Sequence, residues 1–459
     1  MSERDARHKF PYSCRNVIDR RDFMGAVGLS ALALTPALGQ LESVPARWTP
    51  AEKSNQPVGE AKGIFPGRVV WVHDPNVAKW DGDTEGDGWW VDKFTDPALA
   101  AQMLSDTLRL LTGGKSEKEA WAALFRHYNV THGRGNVGYR PGEKVAVKLN
   151  MNCSHQRDRI SYGCYNTPQL SQALLRQLVT QAGVRESDIV VCDASRLMDD
   201  TIYVPCHAEF PGIGIEDRDG IEGRLTAVAD RNVALHFGDP NTPDTGKTYL
   251  PASITGATYV INAANFKGHS LAAVTFCAKN HYGSVYREGA KPEDPRKGWD
   301  PSNTHSAITV TKRPMGTYNA IVDFMGHKDF GGKTILYLVD ALYAAPHQSV
   351  APEKWESSPF DDHWTASVFA SLDPVAIESV GVDFFAAERT AVKMVGAVDN
   401  YLHEAALARK PPSKTRYAPD GDGTTLTSLG VHEHWNSPEK KQYSRNLGTG
   451  QGIELVKNA

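Results

Sequence analysis

The chain has 459 residues, of which 41% are hydrophobic and 23% charged, a balance that excludes a disordered protein. Lys and Arg total 50 against 54 Asp and Glu, a formal charge of −4 with no polybasic block, so no nucleic-acid partner is expected. Forty glycines and 27 prolines predict many loops.

The first segment reads as an export address. Asp19-Arg20-Arg21-Asp22-Phe23-Met24 is a paired-arginine motif ahead of a weakly apolar run, Phe23 to Leu38. That run holds Gly25, Gly28, Ser30 and Pro36 and falls short of the ~20 residues that span a bilayer. Ala37-Leu38-Gly39 offers small residues for cleavage before Gln40, and no cysteine follows to carry a lipid. The segment resembles a twin-arginine translocation signal. It implies the twin-arginine machinery as a partner, a periplasmic or extracellular destination and no stable membrane anchor. The expected organisation is a signal peptide over 1–39, a linker over 40–66, an α/β domain over 67–410 and a C-terminal extension over 411–459.

Cys14 lies in the signal, which leaves Cys153, Cys164, Cys192, Cys206 and Cys277. Cys153 and Cys164 flank a polar loop, and whether they form a disulfide stays open. Cys192 and Cys277 sit in apolar runs, as core cysteines do. No C-x-x-C occurs, so neither an iron–sulfur cluster nor a thiolate zinc site is expected.

In chain order, Arg68 to Asp74 reads as a buried strand, followed by an acidic, Trp-rich loop. In that loop Asp81, Asp83, Glu85 and Asp92 have nearly the oxygen spacing of a calcium loop, with Gly86 at the turn. A solvated acidic loop is the alternative. Helical spacing appears at 97–112, through Leu99, Met103, Leu108 and Leu111, and again at 116–128. Gly133-Arg-Gly-Asn-Val-Gly138 matches a dinucleotide fingerprint as a string, but a helix precedes it and a strand follows, so it reads as a turn. Gly332-Lys333-Thr334 fails as a phosphate loop because position 327 is His and a strand follows.

Next come a strand over 144–150, a helix over 167–182 and a strand over 188–193. A strand over 257–262 is expected to lead into an apolar helix over 271–281. Strands over 334–340 and 367–371 and a helix over 374–388 complete the set. This alternation predicts an α/β fold: a mostly parallel sheet with helices on both faces, plus a polar C-terminal wrap.

Ligands in such sheets bind beyond the carboxyl ends of the strands. Here those ends carry Lys148, Asn150 and Asn152; Asp193 and Ser195; Asn262, Asn265, Lys267 and His269; Asp340; and Asp373. Asp373 before Pro374 also suits a helix N-cap. Ser270 is expected to cap the helix over 271–281, whose free N–H groups would favour an anion. Lys148 and Lys267 would hold that anion, and His269, with its ordinary pKa, would carry the proton. Lys279 and Asn280 would orient the substrate or stabilise developing charge. Lys279 extending its head to solvent, or pairing with a structural carboxylate, is the alternative.

Three blocks stand out together: Lys148-Leu-Asn-Met-Asn152; Asn265-Phe-Lys-Gly-His269 followed by Lys279-Asn-His-Tyr-Gly283; and Ser371-Leu-Asp-Pro-Val-Ala376. Over about 142–387 the chain resembles the family called domain of unknown function 362. The resemblance implies a site at these positions rather than one particular reaction. Many relatives add a ferredoxin-like segment that is not found here, which speaks against electron transfer. The expectation is an exported enzyme that acts on a small anionic molecule through Lys267, His269 and Lys279. Asn150, Asn152, Asn265 and Asp373 would join Lys148 and Asn280 in binding it. A non-catalytic periplasmic binding or assembly protein using the same pocket is the alternative.

The twin-arginine route carries folded proteins, often with a cofactor inserted, so a cofactor of unknown identity is compatible with it. A divalent metal is one option. His432-Glu433-His434 would put two imidazoles on the same side of an extended segment. A third ligand would come from Asp340, His347 or His363. The alternative is a solvated tail with Trp435 as its anchor.

Overall fold

The computed structural model describes residues 48–50, 52–152, 154–155, 160–243, 245–285, 304–311, 313–388 and 394–458. The paired-arginine segment and Cys153 lie outside the described residues.

A ten-stranded sheet forms the middle of the molecule. Its strands are β1 (Arg68–His73), β2 (Val145–Lys148), β3 (Ile189–Asp193), β4 (Gly214–Asp217), β5 (Leu225–Thr226), β6 (Tyr259–His269), β7 (Ala273–Thr275), β8 (Thr334–Ala345), β9 (Ser367–Ser371) and β10 (Glu454–Lys457). The order across the sheet is β10-β1-β9-β8-β6-β2-β3-β4-β5, with β7 folded back on the end of β6. Every neighbouring pair on that path is parallel except those made by β9, which runs antiparallel to both β1 and β8. The α/β fold with a mostly parallel sheet is therefore present.

Successive residues feed opposite faces, as the pleat requires. Val70 and Val72, Val145 and Val147, Leu336 and Leu338 enter one core; Trp71, Ala146, Tyr337 and Val339 enter the other. The first core is covered by α1 (Pro97–Thr112), α2 (Glu117–Thr131), α3 (Pro168–Thr180) and α4 (Asp200–Glu209), through Leu104, Trp121 and Leu174 among others. The second lies under α5 (Cys277–Tyr282), α6 (Pro374–Ala387) and α7 (Asn400–Ala406). Strands buried on both faces explain why the sequence shows near-continuous apolar runs rather than alternation.

Three expectations need correction. The helix expected over 271–281 is instead a hairpin from β6 into β7, followed by the six-residue α5. Ser270 sits exposed in the hairpin turn and caps nothing. β6 continues past Asn262 because Asn262, Asn265 and Lys267 find buried polar partners, so polar residues do not end the strand. The C-terminal region is more than a wrap: β10 pairs in parallel with β1 at the sheet edge, and Val431–His432 pairs with Val58–Gly59. Gly133 and Gly135 lie in the turn before β2, with φ of 68° and 88°. Among the described residues no helix is long and apolar enough to cross a membrane.

Candidate functional site

The carboxyl ends of β2 and β3 meet the middle of β6 and β8 in one polar region, because parallel pairing sets Lys148 beside Asn262 and Cys192, and Asn265 beside Asp340. Lys148 is 1% exposed. A buried ammonium is tolerated only when each proton has an acceptor. Its Nζ donates to Leu149 O, to Asp193 Oδ2 at 3.3 Å and to Asn280 Oδ1 at 3.0 Å. Its three protons are thus taken within the protein, which corrects the expectation that Lys148 holds an anion.

Asp193 is arranged to remain charged. Burial opposes its ionisation, but the Lys148 charge and the Met151 and Ser195 amides hold its pKa below the usual value. Asn280 joins the strands: its Nδ2 donates to Asn262 Oδ1 at 2.8 Å and to Ala263 O at 3.2 Å, and its Oδ1 also accepts from Asn150 Nδ2 at 3.3 Å. Asn262 Nδ2 in turn lies 3.1 Å from His281 Nε2, and burial together with Lys148 pushes that imidazole down to about 3. Gly283 completes the block, since a Cβ there would lie 3.3 Å from Lys148 Nζ and 3.6 Å from Ser195 Oγ. The Lys279-Asn-His-Tyr-Gly283 block therefore supplies both the amide and the space that the Lys148 ammonium needs.

Lys267 is fully buried and donates to Asn152 O at 3.2 Å and to Cys164 O. Asn152 also accepts from Arg196, at 3.1 and 2.9 Å, and donates to Gln348 O at 3.1 Å. Gln348 in turn holds the hairpin turn through both Ser270 N and Ser270 Oγ at 2.9 Å. Asn265 donates to Tyr165 O and Asp340 O. Asp340 accepts from Thr167 N at 2.6 Å and Thr167 Oγ1 at 2.8 Å, and burial raises it to about 6.

His269 lies at the end of β6, partly buried. Its Nδ1 accepts from Leu271 N at 3.1 Å and Ala272 N at 3.2 Å, so the ring proton resides on Nε2. Burial lowers its pKa well below the ordinary value, and Lys279, His305, His347 and Lys267 add to the effect. His269 is thus neutral near pH 7, which corrects its expected ordinary pKa. Lys279 is part-exposed, with Nζ 4.2 Å from the centre of the Tyr282 ring. Lys267 and Lys279 lie close enough to His269 to act on it by charge, as do His305 and His347. Sequence reasoning missed Asn166, whose Oδ1 accepts from Asn150 N and whose Nδ2 donates to Ala264 O at 3.2 Å. A small buried amide in a loop carries no signal in one sequence.

Other expected residues fall elsewhere. Asp373 caps α6, accepting from Val375 N and Ala376 N, and also takes Lys62 N at 2.8 Å and Val431 N at 3.2 Å. Both oxygens are spent on backbone amides, so it is a structural clamp rather than a substrate ligand. The helix N-terminus expected at Ser270 to favour an anion is absent, and at the start of the short α5 Ala278 N donates to Glu378 Oε1 at 2.9 Å. Asp81 and Asp83 accept from the amides of Asp83 and Glu85, and Asp92 from Gln169 Nε2. Among the described residues the oxygens of Asp81, Asp83, Glu85 and Asp92 do not converge as calcium ligands would. His432 and His434 are 2% and 3% exposed, not a solvated tail. Their neighbours are Asp399, His403 and Glu52, rather than Asp340, His347 or His363.

The His269 environment has a titration consequence. A depressed folded-state pKa means that the unfolded chain binds the proton more readily near its ordinary value of about 6.5. The stabilising effect is complete above that pH and is lost as pH falls below it. Imidazole 15N spectra should show a neutral Nε2–H ring at pH 6, and His269→Gln should flatten the loss of stability between about pH 7 and 5. An imidazolium at pH 6.5 would contradict the assignment.

Residues 145–383, just over half of the chain, match the model of the family described as Domain of unknown function (DUF362). No curated protein matches the chain. The matched span runs from β2 into α6 and carries Lys148, Asp193, Asn262, Lys267, His269, Asn280 and Gly283. The chain belongs to the DUF362 family.

Proposed function

We propose that the region where β6 ends binds a small anionic molecule, and that the protein is an exported enzyme acting on it. The observation that carries this reading is the company His269 keeps: Lys279, His305, His347 and Lys267 are the side chains that act on it most by charge, and each lowers its affinity for a proton. Two of these, Lys279 and Lys267, are lysines whose charges act on one partly buried ring, and an anion would offset the cost of holding them there. His269 would offer its Nε2–H to the anion, and part-exposed Lys279 would balance the charge and exchange a proton with it. Lys267, anchored on two carbonyls, would contribute its field from beneath. Asn150, Asn152, Asn265 and Asn280 would position the strand ends around it.

A second reading is a periplasmic binding or assembly protein that uses the same pocket without turnover. The Nδ1 of His269 favours it, because two backbone amides already occupy the lone pair a general base would need. Isothermal titration with inorganic phosphate and with succinate tests the common element. Binding of either anion should weaken about tenfold in His269→Ala and in Lys279→Ala, roughly the loss of one charge-assisted hydrogen bond. Absence of binding to the wild type, or wild-type affinity in both variants, would overturn the anion site.

Export is the other part of the proposal. It rests on Arg20-Arg21 ahead of the apolar run from Phe23 to Leu38, with Ala37-Leu38-Gly39 before Gln40. Fractionation of bacteria expressing the full chain should find a shortened protein outside the cytoplasm. Replacing Arg20 and Arg21 by Lys should leave the precursor inside. An unprocessed cytoplasmic wild-type protein would contradict the reading.

A further inference from the structure

We infer that a second site, formed by His403, His432, His434, Asp399 and Glu52, binds one divalent first-row transition-metal ion. Three separate segments build it. Asp399 precedes α7 and His403 lies one turn on, so both side chains face the same way. His432 and His434 alternate with Glu433, which turns to the opposite side and accepts from Ser444 Oγ at 2.6 Å. Glu52 comes from the chain ahead of β1.

The donor atoms converge. Those of Asp399, His403 and His432 lie within 4.8 Å of one another, as do those of Glu52, Asp399 and His434. His403 Nε2 is 3.1 Å from Glu52 Oε1 and 3.7 Å from Asp399 Oδ2, and His434 Nε2 is 3.5 Å from the same Asp399 oxygen. The rings of His403 and His432 have centroids 4.6 Å apart, and those of His432 and His434 4.8 Å. A tetrahedral ion with bonds of about 2.0–2.1 Å spaces its ligands about 3.3 Å apart, so small side-chain rotations close the shell.

The hydrogen bonds around the cluster fix which nitrogens are free. Ser379 Oγ spends its one proton on Val375 O at 2.8 Å, so it must accept the 2.8 Å bond from His432 Nδ1. His434 Nδ1 donates to Asp383 Oδ1 at 2.6 Å. Asp383 is itself held by Trp435 N and Tyr443 OH, both at 2.9 Å. Both rings therefore present Nε2 to the cluster. There His432 Nε2 and Glu52 Oε2 are buried with no hydrogen-bond partner, while His403 Nε2 and His434 Nε2 face only the carboxylates of Glu52 and Asp399.

A hydroxyl behind His432 and a carboxylate behind His434, with Nε2 of each turned into the cluster, is the usual outer shell of a metal-binding histidine. Buried polar atoms without partners would otherwise be a heavy cost. Imidazoles with one or two carboxylates suit a cation of the Zn2+ or Fe2+ kind better than Ca2+ or Mg2+. The Glu52 side chain is 33% exposed and that of His403 10%, which gives the ion an entry path.

The test uses the full chain, stripped with a chelator and titrated with Co2+ and then with competing Zn2+. One equivalent of Co2+ should bind with visible ligand-field bands, and Zn2+ should displace it. His403→Ala and His432→Ala should each weaken binding about 100-fold, while Ser379→Ala, which only frees the His432 ring, should weaken it about tenfold. Circular dichroism shows which variants fold, and His403→Ala and the near-isosteric Ser379→Ala keep the test usable if His432→Ala does not. Less than about a tenth of an equivalent bound by the wild type would overturn the site. So would unchanged spectra in folded His403→Ala and Ser379→Ala.

Discussion

A lysine ammonium at the end of a central strand, cut off from water, is the constraint on which the rest of the site depends. Stripping water from such a charge costs several kcal/mol, which only a partner charge and full hydrogen bonding offset. Asp193 from β3 supplies the charge, Leu149 O and Asn280 Oδ1 the other acceptors, and Gly283 the space. These groups come from three segments, the end of β2, β3 and the block around α5, so the Lys148 head fixes the three in one arrangement. The proposed rim, His269 and Lys279, flanks that arrangement through β6 and α5. Lys148 is in this view the foundation of the site and not its anion receptor.

One helix links the two proposed sites. Glu378 of α6 accepts from Ala278 N at the start of α5 and from Tyr401 OH in α7 at 2.7 Å, and burial raises it to about 7. The next residue, Ser379, orients His432, and Asp383 orients His434. Asp373 at the head of the same helix ties down Lys62 and Val431, and so the segment that leads to the histidines. The Ser371-Leu-Asp-Pro-Val-Ala376 motif is explained by this clamp. Its Asp serves backbone amides and its Pro needs none at the first helical position.

Much of the fold could be read in the sequence because its elements are locally consistent. Val145 to Lys148 and Ile189 to Asp193 are short apolar runs ending in charge, and α1 and α3 have regular apolar spacing. What misled was the stretch after Asn262. Asn265, Lys267 and His269 look like the polar exit from a strand, yet they continue β6 because Tyr165, Asn152 and Cys164 provide carbonyls from about 100 positions away in the chain. The apolar run after Leu271 then suggested a helix, whereas it forms β7 and the short α5. Likewise His432 and His434 could be marked as a pair. Asp399, His403 and Glu52 could not be joined to them, since no local spacing connects segments that only tertiary packing brings together.

The most direct test of the account is a double-mutant cycle on Lys148 and Asp193, measured by equilibrium urea unfolding of Lys148→Met, Asp193→Asn and the pair. Each single change leaves a buried charge without its partner and should cost about 3–5 kcal/mol. The double variant should cost at least about 2 kcal/mol less than the sum, the mark of two groups that compensate each other. Additivity to within about 0.5 kcal/mol would contradict the central role given to this pair.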